Sequence, residues 1–249
     1  MSSARGSKSR AKTRRSLLYL ILPLLLVAMA LVGFWPQYYG RLLSGAPLEG
    51  PAVHPLVPVH ATLFVGWLLI ILFQAALVHS GRTPLHQRLG PWLAGLGYVT
   101  AAVGLFSGLN LAAARVVRGG SLDEAATFVA APVLDMVMFT GFLTAAVVLR
   151  RRPEAHKRMI LFTGYSLAFI GLVRYLARIP GAMENLWLAS VLLIAPIILC
   201  IGWEASTRRA VHPAWWFGLG AFTARLALEL LATLPPWLPV GRSIIRLFL

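Results

Sequence analysis

Seven stretches of this 249-residue chain are each long and apolar enough to cross a bilayer, and mostly short connections join them. Because roughly 20 apolar residues span the hydrocarbon core, the runs predict helices over Leu17 to Trp35, Leu56 to Val78, Pro91 to Val116, Phe128 to Leu149, Met159 to Ala177, Leu186 to Glu204 and Ala214 to Leu231. Backbone amides find no water in hydrocarbon, so each run satisfies its own hydrogen bonds as a helix. The expected fold is all-α: a polytopic bundle of seven transmembrane helices over residues 17–249, preceded by a basic tail at residues 1–16.

Composition supports this and removes one alternative. Charged residues are only 12% of the chain, against about a quarter in soluble domains, and the mean hydropathy is +0.75. A net charge of +15 could suggest nucleic acid, but no water-facing domain gathers it. The charge marks topology instead. Six basic residues lie in the tail, and Arg82, Arg88, Arg150, Arg151, Arg152, Lys157, Arg158, Arg208 and Arg209 fall in the connections on the same side. The positive-inside rule places that side, and the N-terminus, in the cytoplasm and the C-terminus outside. The first apolar run is followed by Pro36, Gln37, Tyr38 and Tyr39 rather than a small-residue cleavage site, so it reads as an uncleaved helix of a bacterial inner membrane protein. The lone Cys200 rules out an internal disulfide. The longest connection, about Pro36 to Pro55 with His54, is expected to cap the outer face, and Gly104 and Gly108 to permit close helix approach.

At an offset of 70 residues the chain resembles itself. Ala75 to Val78 aligns with Ala145 to Val148, and Leu85-His86-Gln87-Arg88-Leu89 with Ala155-His156-Lys157-Arg158-Met159. Each copy is an inward-running helix, a basic turn and an H-x-R opening an outward-running helix, so helices 2/3 and 4/5 are expected to be parallel repeats. His86 and His156 then share one depth at the cytoplasmic face. Two such imidazoles can ligate haem b axially while Arg88 and Arg158 hold its propionates or lipid phosphates; equally, they can be ordinary first-turn residues with head-group anchors beside them.

Ionisable groups inside hydrocarbon are costly and mark candidate sites. Counting about 1.5 Å per residue, His60, Asn110, Asp135, Arg174 and Glu229 reach one layer outward of the midplane from five helices. On helix 2, His60, Phe64, Trp67, Ile71 and Gln74 form a stripe expected to face protein. Arg174 can reach Asp135 if helices 4 and 5 are neighbours, and Arg225 pairs with Glu229 at i, i+4. One reading makes these structural ion pairs. The other makes His60, Trp67, Gln74, Asn110, Asp135, Arg174, Arg225 and Glu229 the lining of an outward cavity for a small polar or anionic ligand. A third set, His60 with Asp135 and Glu229, could hold a non-haem metal.

The stretch His60 to Leu109, with Gln74, Leu85-His86-Gln87-Arg88-Leu89-Gly90 and Leu105-Phe106-Ser107-Gly108-Leu109, resembles a bacterial family of uncharacterised polytopic membrane proteins. The segment His156-Lys157-Arg158-Met159-Ile160, through Tyr165-Ser166-Leu167 to Arg174, is similar to the same family. The resemblance is remote; it implies fold and membrane location and no reaction, and it marks His60, Gln74, His86, His156 and Arg174. No nucleophile elbow, phosphate loop or H-E-x-x-H is present. The expected function is small-molecule, ion or proton binding or transport, with haem b electron transfer through His86 and His156 as the alternative. The expected partners are membrane lipids, another copy of the chain or a second membrane protein.

Overall fold

A computed structural model describes residues 3–48, 55–181, 186–208 and 210–249, with backbone alone for 3–16 and 186–189. His54 and Arg209 lie outside the described residues. Helices account for nearly all of the structure, and no strand occurs among the described residues. They are α1 (Ser3–Phe34), a π-helical turn (Trp35–Tyr39), α2 (Gly40–Ser44), α3 (Leu56–His79), α4 (Thr83–Val117), α5 (Leu122–Phe128), α6 (Ala130–Val148), α7 (Pro153–Leu176), α8 (Leu186–Thr207), α9 (Pro213–Leu231) and α10 (Leu238–Arg246).

Among the described residues six spans are long and apolar enough to cross a membrane, and a seventh counts only if α9 is joined to Pro235–Arg246, which is bent 87° from it. The bundle is thus an all-α multi-pass membrane fold. Several ends differ from the sequence expectation. α4 begins at Thr83, eight residues before Pro91; the ring removes one hydrogen bond, to the carbonyl of Gln87, which sits exposed where other partners are at hand. α7 begins at Pro153, whose fixed φ suits a first turn. The connection expected from Pro36 is instead helical through Ser44, and two short helices, α5 and α10, were not expected. Ser121 caps α5, its hydroxyl accepting from the Asp123 amide at 3.2 Å.

α3, α4, α6 and α7 form the central bundle. α3 packs on α4 and α6 on α7; the two hairpins then meet through α3 with α7 and α4 with α6. That pattern is unchanged when α3 is exchanged with α6 and α4 with α7, as two repeats about one axis require. α4 comes close to α6 because Gly104 and Gly108 leave room: a Cβ at Gly104 would lie 2.7 Å from Met136 Sδ, and one at Gly108 2.5 Å from Pro132 Cβ. α1 packs on α3 and α7, and α9 on α6, α7 and α8. α7 is therefore the central helix, with 67% of its span buried against at most 33% in the other five spans.

Van der Waals packing holds such bundles together where lipid removes the hydrophobic drive. Here aromatic rings fill the space: Phe142, Phe162, Tyr165, Trp215 and Phe222 join α6, α7 and α9, while Phe64, Trp67 and Phe139 join α3 to α6. Phe64, Trp67, Ile71 and Gln74 are all buried, so the expected protein-facing stripe on α3 is present. α10 lies across α5 at the end away from the basic turns, with Trp237 Nε1 donating to the Ala126 carbonyl at 2.8 Å and Arg242 paired with Asp123 at 2.5 Å.

Candidate functional site

Two layers of ionisable side chains cross the bundle, one at each end. At the basic end, where α7 starts and α8 finishes, Arg158 is wholly buried. Its guanidinium donates to Glu204, on α8, and at 3.0 Å to Glu154, one turn back on α7. Arg208 bridges the same two carboxylates at 3.1 and 3.2 Å, and Lys157 takes Glu154 at 2.6 Å. The remaining Glu204 oxygen accepts the His212 backbone amide at 2.9 Å. His212 then caps α9, its Nδ1 accepting from Ala214 N at 3.1 Å. That acceptor role needs a neutral ring, and burial, with Arg158 nearby, holds the imidazole below its ordinary value of 6.5. Arg158 is thus spent within the protein and is not the expected propionate or lipid-phosphate ligand, whereas Arg88 is exposed.

At the far end the expected single layer divides in two. Asp135 on α6 does not meet Arg174: it accepts from Arg225 Nε on α9 at 2.7 Å. Arg225 also holds Glu229, as the i, i+4 spacing implied. The pairing with Arg174 fails because Asp135 turns towards α9 rather than α7, and the charges acting on it are Arg225 and Glu229 alone. The proposed metal set of His60, Asp135 and Glu229 fails with it. No three His, Cys, Asp or Glu side chains converge on a metal position among the described residues.

The other half is different in kind. His60 on α3 lies tilted against Phe64, ring centres 3.8 Å apart, and its Nδ1 is buried without a hydrogen-bond partner. Arg174 on α7 is the charge that acts on it. The Arg174 Nε is likewise buried and unpartnered, the guanidinium lies 5.3 Å from the Phe34 ring centre, and the charges acting on it are Arg115 and Arg178, both cations. Arg178 donates to the Gly33 carbonyl at 2.9 Å and Arg115 lies over Phe128 at 3.7 Å, with Glu124 near Arg115. Among the described residues no carboxylate is paired with Arg174.

Three further expected lining residues are elsewhere. Trp67 is core, donating to Thr163 Oγ1 at 3.0 Å. Asn110 satisfies itself on the Phe106 carbonyl at 2.8 Å. Gln74 lies 14 residues beyond His60 on α3, about 21 Å towards the basic end, where both amide atoms are buried without partners. His86 and His156 do meet, with ring centres 6.2 Å apart. The buried Glu204 was missed; its only trace in sequence is a carboxylate closing an apolar run.

Comparison with protein-family models, with curated proteins and with solved structures returns no match.

Proposed function

We propose that this chain is a multi-pass protein of a bacterial cytoplasmic membrane, basic end inside, that binds a small anion at its outer end between α3 and α7 as a binding or transport protein. Arg174 carries the reading. A guanidinium in the outer half of a membrane bundle, with a buried Nε lacking an acceptor and, among the described residues, only cations acting on it, is expensive in hydrocarbon unless a negative charge joins it. Its fork suits the two oxygens of a carboxylate, phosphate or sulfate. His60, whose buried Nδ1 is unpartnered, is placed to add a third hydrogen bond, and Arg115 and Arg178 draw anions to the mouth by long-range attraction. Asp135 and Glu229 both pair with Arg225, and the three act as the scaffold beside the site.

Thermal unfolding of detergent-purified protein titrated with inorganic phosphate, sulfate and succinate tests this. At least one anion raises the Tm as its concentration rises, because a ligand of the folded state alone stabilises it, and Arg174→Gln abolishes the rise. An equal response in wild type and variant, or none in either, refutes the reading.

A further inference from the structure

The basic end carries a second arrangement, independent of the anion site. His86 and His156 are each the fourth residue of an outward-running helix, α4 and α7. Although those helices come from different hairpins, their imidazoles meet with ring centres 6.2 Å apart and planes 77° to one another. That is too far for a direct ring-to-ring hydrogen bond, and the buried Nδ1 of His86 has no partner. The His156 ring, by contrast, is fixed. Its Nδ1 lies 2.8 Å from the Ala146 carbonyl, an atom that can only accept, so Nδ1 donates and Nε2 is the nitrogen left to face a ligand. A carbonyl behind one imidazole nitrogen is what orients the other towards a metal.

Gln74 adds the second observation. It is nine-tenths buried, and neither its oxygen nor its nitrogen has a partner. Trp67 and Thr163 touch across the α3/α7 interface. Gln74 follows Trp67 by seven residues along α3, and His156 precedes Thr163 by seven along α7; each step is about two turns, or 10.5 Å, towards the basic end. Gln74 and His156 therefore share one level of the facing surfaces, and two side chains with buried unpartnered polar atoms, His86 and Gln74, lie at the end where the two hairpins meet.

We infer that His86 and His156 ligate one metal centre between them, a soft or borderline transition metal held by two neutral imidazoles, with the Gln74 amide beside it. Two imidazoles placed trans on one metal, each bonded at about 2.0 Å, hold their ring centres about 6 Å apart. Neutral nitrogen donors with no carboxylate suit monovalent copper or the iron of haem, which takes two axial histidines. Those two sources share the same ligand chemistry, and the experiment separates them.

Full-length protein is purified in detergent, its metal content measured by mass spectrometry and its optical spectrum recorded, then titrated with Cu(I) under a competing chelator and, separately, with haemin. Either one equivalent of copper without a visible band, or one of haem with a Soret band, is expected. His86→Gln and His156→Gln each lower affinity at least tenfold, the scale on which a lost ligand exceeds a second-shell loss, while Arg246→Gln, exposed on α10 at the opposite end, retains it. Circular dichroism and size-exclusion profiles matching wild type separate lost ligation from lost fold; should His156→Gln fail that check, His86→Gln, whose unpartnered Nδ1 leaves no bond to break, decides. Binding of neither probe, or binding indifferent to the histidine substitutions, overturns the inference.

Discussion

The two ends of the bundle deal with charge in opposite ways. At the basic end Arg158, Arg208 and Lys157 face Glu154 and Glu204, and each cation has a carboxylate within 3.2 Å. At the far end the Asp135, Arg225 and Glu229 triad closes on itself, while Arg174 is left among cations. Burial alone therefore does not identify a site in a membrane protein: Arg158 is more deeply buried than Arg174, yet its charge is consumed in joining α7 to α8. An unmatched charge is the informative one, because something outside the chain must match it.

Breaking the closed network should cost most. Arg158→Leu leaves Glu204 buried and uncompensated except by Arg208, and loss of about 3–5 kcal/mol is expected; Arg158→Leu with Glu204→Gln should recover part of it, measured by denaturant unfolding in detergent. Next comes Asp135→Asn. It removes one arm of the triad but leaves Arg225 on the half-exposed Glu229, so a loss of about 1–3 kcal/mol is expected by the same measurement.

His212 sharpens the basic-end account through pH. The folded imidazole is held below its ordinary value of 6.5, so its contribution is fully present above that pH and is lost as pH falls towards the folded value. The Tm is expected to fall from pH 7 to pH 5, with a shallower fall in His212→Asn, which keeps a cap that cannot titrate; an N-cap is worth about 1 kcal/mol. The smallest effect belongs to the far end. Without added anion, Arg174→Gln removes no ion pair among the described residues and relieves an unmatched charge, so it should raise stability, by about 1 kcal/mol or less where snorkelling to water already reduces the cost of that charge.

Much of the fold was legible in sequence because hydrocarbon demands long uninterrupted apolar runs, and the run from Leu56 to Val78, which is α3 in the structure, shows this clearly. Helix starts were less so. Thr83 to Gly90 and Pro153 to Arg158 look like polar turns, yet they continue the helices beyond the apolar core. The matching H-x-R spacing was legible as well: His86 and His156 are each the fourth residue of a helix, and their rings lie 6.2 Å apart. Partner choice was not. Depth along a helix follows from counting residues, but whether Asp135 meets Arg174 or Arg225 depends on which face of α6 turns to α7 and which to α9, and packing across the bundle decides that. Arg158 illustrates the same limit: one residue from Lys157, it reads as a head-group anchor until α8 brings Glu204 to it.

The most direct test of the unmatched charge is an experimental map of the purified protein equilibrated with selenate and phased on the selenium anomalous signal. A peak within hydrogen-bond reach of the Arg174 guanidinium and His60 Nδ1 is the predicted result. A carboxylate of the chain itself closing on Arg174, with no selenium there, would contradict it.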